Sequence, residues 1–219
     1  MSCWNVAHAG YEGYLPNSWV SIEKIVKCSC DVLEMDVRRE GSRLYLSHDW
    51  KGQTSHCVGL EDALCYVREH APEKWVGIDL KEPVFEAVQK LAVSCGMDGK
   101  IIYTGDVLLR DLQKDRGKNK VFYNLENSMG NVTDLPEKMT EILNLFELLK
   151  QNGADGVNMD YHFLDSQIAE LLVEQKLVGA VWTVDEEEEM KRMLRLGAGS
   201  ITTRYPEKLA ELMAKGEKQ

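Results

Sequence analysis

No apolar run in this 219-residue sequence approaches the ~18–20 residues needed to span a bilayer. The opening Met1-Ser2-Cys3-Trp4-Asn5 lacks the basic and apolar regions of a secretory signal. The expectation is therefore a cytoplasmic protein, or one whose leader has been removed. Positive charge is in short supply: 26 Lys and Arg stand against 36 Asp and Glu, for a net charge of −10. An acidic surface repels nucleic acid and anionic membranes, so neither is expected as a main partner. An anionic substrate would need local attraction, which a bound cation can supply. Zinc-ligand spacing is missing too. The six cysteines are Cys3, Cys28, Cys30, Cys57, Cys65 and Cys95, and Cys28-Ser29-Cys30 is too short for a CxxC knuckle. Free, mostly buried thiols in a reducing compartment are expected. There is no Gly-rich first turn, no low-complexity linker and no internal repeat beyond an alternating strand–helix unit.

That alternation is what the chain does have. Strand patterns fall at 4–8, 32–38, 75–81, 100–104, 120–125, 155–160, 178–184 and 200–203. Helical patterns fall at 17–29, 60–70, 83–96, 106–115, 136–150, 165–176, 186–196 and 206–215. Gly153, Gly179 and Gly197 follow helical patterns, where a terminating glycine is expected. Pro136 and Pro206 stand near helix starts. Glu186 to Glu189 read as solvated carboxylates in a helix's first turn. Eight strands, each followed by a helix, predict an α/β fold, a closed (β/α)8 TIM barrel. One domain over 1–219 is expected, with a short hairpin excursion after the second strand. An open doubly wound sheet usually has fewer strands and a Gly-rich first turn.

Within strands, the faces separate chemically. Over 32–38, Leu33, Met35 and Val37 share one face and Glu34, Asp36 and Arg38 the other. Over 76–81, Val76, Ile78 and Leu80 oppose Gly77, Asp79 and Lys81. In a barrel the apolar faces pack on helices and the polar faces point inward near the mouth. Glu34 and Asp36, roughly 6–7 Å apart along the strand, can converge on one hard cation, with Asp79 as a third oxygen ligand. Oxygen-only ligands favour Mg2+ or Ca2+ over zinc. The rival reading pairs these carboxylates with Lys81 and Arg38.

His8 ends the first strand. A three-residue turn Glu40-Gly41-Ser42 would set Arg43 opposite Arg39 and His48 opposite Glu34, on the polar face; a one-residue slip would turn His48 away. Two histidines flanking one metal suit an acid and a base for phosphate ester cleavage. His56, His70 and His162 read as surface residues. Asn124, Glu126, Asn158 and Asp160, near later strand ends, are candidates for headgroup contacts or for ordinary strand capping.

These residues bring the chain to a resemblance. Ala7-His8-Ala9-Gly10, Glu34-Met35-Asp36-Val37, His48-Asp49, Ile78-Asp79-Leu80-Lys81, Val181-Trp182-Thr183-Val184-Asp185 and Ile201-Thr202-Thr203-Arg204-Tyr205-Pro206 follow in an order and spacing that resembles the glycerophosphodiester phosphodiesterases over nearly the whole chain. The resemblance implies a barrel that hydrolyses small-molecule glycerophosphodiesters to glycerol 3-phosphate and an alcohol. It implies His8 and His48 as the acid–base pair, and Glu34, Asp36 and Asp79 as ligands of Mg2+ or Ca2+. It further implies Lys81 on phosphate and Trp182 against the glycerol. Three departures stand out. Ala9 replaces the family's usual arginine, Pro16-Asn17-Ser18 replaces a P-E-N triplet, and the segment after His48 is short. Asp79 for glutamate is a milder one. Alternatives are a phospholipase-type lyase forming a cyclic phosphate, or a catalytically weak barrel that binds phosphate ligands.

Overall fold

A computed structural model describes residues 3–49, 54–130 and 135–216. Its strands are β1 (Trp4–Ala7), β2 (Val32–Glu40), β3 (Arg43–Leu46), β4 (Trp75–Leu80), β5 (Ile101–Gly105), β6 (Lys120–Asn124), β7 (Gly156–Asp160), β8 (Val178–Trp182) and β9 (Ser200–Thr203). All but β3 pair in parallel in one sheet, which closes where β1 pairs with both β9 and β2. The result is an eight-stranded parallel barrel, and β3 lies antiparallel on β2 as the expected hairpin.

The helices are α1 (Trp19–Ile25), α2 (Leu60–His70), α3 (Phe85–Ser94), α4 (Glu126–Met129), α5 (Leu135–Gln151), α6 (Ser166–Glu174), α7 (Glu187–Arg195) and α8 (Pro206–Gly216). In α2, Leu60, Ala63, Leu64 and Val67 are buried, the i, i+3, i+4, i+7 stripe that a helix packed on a sheet requires. Asp165 caps α6 by accepting the Ile168 N–H at 2.9 Å. The outward faces of the strands, Leu33, Met35, Val37, Ile78 and Leu80 among them, form the main core with these helices. Each such side chain contributes roughly 1.5–3 kcal/mol on burial.

The barrel interior is layered. Val6, Val32, Ile102, Phe122 and Ala180 form a separate apolar floor, bordered by Trp4, Trp75 and Val178. Side chains alternate across a strand, so the residue two further along each of these strands faces inward one layer higher. Those residues are His8, Glu34, Thr104, Asn124 and Trp182. Polar chemistry thus starts where the apolar floor ends.

Two expectations need correction. The helix expected over 106–115 is only a short 3-10 turn, Leu109–Asp111. There Asp111 accepts the Leu108 N–H at 3.0 Å, while Arg116 donates to the carbonyls of Leu112 and Asn119, both at 3.1 Å. These local bonds compete with helix formation. Gly179 does not end a helix: it lies inside β8, and Lys176, at φ 56°, takes the left-handed position after α6. A Cβ at Gly179 would stand 2.8 Å from Leu172 Cδ1, so close packing is what this glycine permits. Gly153 and Gly197, at φ 87° and 78°, do follow α5 and α7. All six cysteines are free, with Cys28, Cys30 and Cys95 buried. No helix among the described residues is long and apolar enough to cross a membrane.

Candidate active site

The parallel register assembles the carboxylates. Asp36 on β2 lies directly beside Asp79 on β4, and Glu34 lies beside Gly77, which adds no side chain of its own. Glu34, Asp36 and Asp79 each offer an oxygen, and these oxygens lie within 4.8 Å of one another. They open into a cavity of about 440 Å³ at the C-terminal ends of the strands, which His8, His48, Lys81, Trp182 and Arg204 also line. All seven residues expected at the site are therefore in one place. Barrel enzymes carry their chemistry at this end.

Each carboxylate is held from a different side. Glu34 Oε2 accepts the Ala9 N–H at 2.8 Å. Asp36 is buried, and its Oδ2 accepts the Asn17 amide at 2.7 Å. Lys81 Nζ bridges Asp36 Oδ1 at 2.9 Å and Asp79 Oδ2 at 2.6 Å. The rival reading is thus half right. Lys81 pairs with the carboxylates, whereas Arg38 donates to the carbonyls of His48 and Lys81 and ties the hairpin to the end of β4.

The electrostatics of the cluster favour positive charge beside it. Burial, then the Asp36 and Asp79 charges, push the Glu34 carboxyl well above its usual range. Burial also raises Asp79, against the opposing pull of Lys81. Burial alone would lower the Lys81 ammonium; Asp79 and Asp36 outweigh it and hold the group protonated. Three clustered carboxylates already recruit one ammonium, and an all-oxygen set of this kind fits a hard divalent cation.

The two histidines differ in environment. His8 Nδ1 accepts the Gly10 N–H at 2.9 Å. In the neutral ring the hydrogen is therefore on Nε2. Burial and the neighbouring Arg204 lower the His8 pKa to about 4. His48 is exposed and its Nδ1 lies 2.9 Å from Asp49 Oδ1. A hydrogen at Nδ1 satisfies that carboxylate and leaves the Nε2 lone pair available.

His48 reaches the cavity by a route other than the expected one. Arg43 pairs with Glu40, and Leu44 with Arg39, one residue out of the expected register. The turn is the two-residue Gly41-Ser42, with Gly41 at φ 59°. Alternation would then face His48 outward, but β3 ends at Leu46 and the chain leaves the ladder before His48. The segment that follows includes residues 50–53, which lie outside the described residues.

Position 9 acts through its backbone. The Ala9 side chain is buried beneath α1, near Ser21, Ile22 and Ile25, and Ser21 Oγ donates to the Ala9 carbonyl at 2.6 Å. A further cation comes instead from Arg204, at the end of β9. Asn17, read from sequence only as a lost carboxylate, proves to bond Asp36 directly; a contact between residues 19 positions apart has no local signature. Asn124 and Asn158 line the cavity, with Asn158 Nδ2 donating to Asn124 Oδ1 at 2.9 Å, whereas Glu126 and Asp160 stand outside its lining. The Trp182 indole N–H is buried without a partner among the described residues. His56, His70 and His162 are exposed.

No family model and no curated protein matches the sequence. Solved structures do match. A glycerophosphodiester phosphodiesterase from Parabacteroides distasonis superposes with a TM-score of 0.80 at 19% identity, covering 99% of this chain and 98% of that one. One from Thermotoga maritima gives 0.71 at 21% identity, over 95% and 98% of the two chains. An Oleispira antarctica phosphodiesterase, solved with its product sn-glycerol-3-phosphate, gives 0.72 at 15% identity, over 95% and 96%. This chain has the fold of the glycerophosphodiester phosphodiesterases. In these three comparisons the likeness spans 95–99% of this chain.

Proposed function

We propose that this protein is a phosphoric diester hydrolase that cleaves glycerophosphodiesters to glycerol 3-phosphate and an alcohol. The observation that carries the reading is the presence, in one barrel-mouth cavity, of a three-carboxylate cluster and two histidines in complementary hydrogen-bonding states. The product bound to the Oleispira structure is in keeping with such a substrate.

Glu34, Asp36 and Asp79 would hold a divalent metal, Mg2+ or Ca2+. When bound, such an ion neutralises phosphate charge and the charge that grows in the transition state. His48, steadied by Asp49, offers its Nε2 lone pair to the proton of the attacking oxygen, from water or the glycerol 2-hydroxyl. His8 presents Nε2–H toward the leaving alcohol oxygen. Arg204 is among the groups that depress the proton affinity of His8. An anionic diester beside that guanidinium offsets it and favours the protonated ring. The Ala9 N–H fixes Glu34, and the floor of Val6, Val32, Ile102, Phe122 and Ala180 closes the barrel beneath the reacting groups. Trp182 offers an N–H that is unpartnered among the described residues, and a ring face for the glycerol moiety.

The test is a panel of glycerophosphodiesters assayed with Mg2+, with Ca2+ or with chelator, following glycerol 3-phosphate and any cyclic phosphate. Divalent-dependent release of glycerol 3-phosphate is expected, with His8→Ala and His48→Ala each slower by about 10²–10⁴-fold. No turnover of any diester with either metal would end this reading.

A further inference from the structure

Among the described residues, two cationic side chains, Lys81 and Arg204, line the cavity together with the catalytic candidates. Lys81 is committed, bridging two buried or half-buried carboxylates. Arg204 is differently placed. It follows β9, which pairs with β1 just before His8, and the His8 N–H bonds the Thr203 carbonyl at 2.9 Å. The guanidinium therefore stands at the rim beside the His8 ring.

The Arg204 fork is anchored on one side. Nη1 donates to Asp185 Oδ2, whose other oxygen accepts the Arg204 backbone N–H at 2.9 Å and the Thr203 hydroxyl at 3.3 Å. Asp185 is thereby fixed by the end of the strand it supports. Nε and Nη2 make no bond among the described residues, and the side chain is 43% exposed. A planar fork held at one nitrogen presents the opposite edge, with two parallel donors, to an oxyanion. A lysine could offer only a point charge there.

We infer that Arg204, oriented by Asp185, is the guanidinium that binds the phosphate group of the ligand in this cavity. The buried side chain at position 9 cannot do this from beneath α1, and Lys81 does it only by leaving Asp36 and Asp79. The inference rests on the phosphodiester reading for the class of ligand, though not on turnover.

Its test pairs kinetics with binding. Inorganic phosphate and sn-glycerol 3-phosphate are titrated calorimetrically, with Mg2+ present, into the wild-type protein, Arg204→Met and Arg204→Lys. KM and kcat are measured on the best diester, and thermal unfolding is followed alongside. Arg204→Met should weaken phosphate binding and raise KM by about 10–100-fold, the size of a lost charge-assisted contact, with a smaller change in kcat. Arg204→Lys should recover part of the binding. Asp185→Asn, which keeps the neutral hydrogen bonds, should raise KM less than Arg204→Met does. Arginine-dependent phosphate binding without turnover would retain this inference while removing the proposed function. A folded Arg204→Met with unchanged phosphate affinity and unchanged KM would overturn it, as would a variant that loses thermal stability alone.

Discussion

The Asn17 side chain holds Asp36 at two points: its amide donates to Oδ2 at 2.7 Å, and its carbonyl accepts the Asp36 backbone N–H at 3.0 Å. Asn17 sits at φ 59°, a left-handed conformation that asparagine tolerates better than most residues. Replacement by alanine would confound lost bonds with backbone strain, so Asn17→Gly is the cleaner probe. Removing such a supporting group from a ligand typically costs 10–100-fold in metal affinity. Calorimetric titration with Ca2+ and Mg2+ should show a loss of that size in Asn17→Gly with the fold intact. An unchanged affinity would mean that Asp36 needs no support or binds no metal.

Lys81 Nζ contacts Asp36 and Asp79, two of the three carboxylates that would hold a divalent cation. Its loss in Lys81→Met leaves Asp36 and Asp79 without their ammonium. Breaking a buried ion pair by removing one partner costs about 3–5 kcal/mol, an upper figure here because the carboxyls can take up protons. Metal-free Lys81→Met should therefore melt several degrees below wild type. Saturating Ca2+ or Mg2+ should then raise its Tm by more than it raises that of the wild type, since ligand bound only to the folded state stabilises it. Equal metal-induced shifts in the two proteins would show that the lysine and the metal do not share the site.

Much of the barrel was legible because its signals are local. Strand alternation in Val32–Glu40 and Trp75–Leu80 put Leu33, Met35, Val37, Ile78 and Leu80 on helices, and Glu34, Asp36 and Asp79 inward. What was not legible depended on tertiary geometry. His48 arrives in the cavity after a register one residue different from that expected, because the strand ends before alternation could turn it away. The bond from Asn17 to Asp36, the anchoring of Arg204 by Asp185 and the outward burial of Ala9 all join segments distant in sequence or depend on a loop's path. The segment 106–115 had a helical pattern, but Asp111 and Arg116 bind nearby backbone groups instead.

Gly105 sets the distance between β5 and the Asp79 carboxylate. It has φ 75°, and a Cβ there would lie 2.1 Å from Asp79 Oδ1 and 2.3 Å from the Leu80 carbonyl oxygen. No rotation of one flexible side chain relieves the second contact, because it is with backbone. Gly105→Ala should destabilise the protein by more than the ~1–2 kcal/mol of a left-handed alanine alone, and should weaken metal binding by displacing Asp79. Urea unfolding and Ca2+ titration of the same variant measure the two effects. Full stability with full metal affinity would contradict the packing described for this turn.

His8 provides a prediction in pH. Burial, then Arg204, lowers its pKa from 6.5 to about 4. Between these values the unfolded chain binds a proton that the folded protein does not. The contribution of His8 to stability is therefore present in full above pH 6.5 and is lost as pH falls through about 4. A shift of this size corresponds to about 3 kcal/mol. In His8→Asn, Oδ1 can accept the Gly10 N–H in place of Nδ1, while nothing titrates. From pH 7 to pH 4, urea unfolding should show wild type losing roughly 2–3 kcal/mol more stability than His8→Asn. An NMR titration of the His8 ring gives an independent reading, with the neutral signal persisting to about pH 4. Phosphate bound beside Arg204 should shift that titration upward, because it offsets a charge that depresses His8. A ring that titrates near 6.5, with or without phosphate, would remove both the burial argument and the electrostatic link between His8 and Arg204.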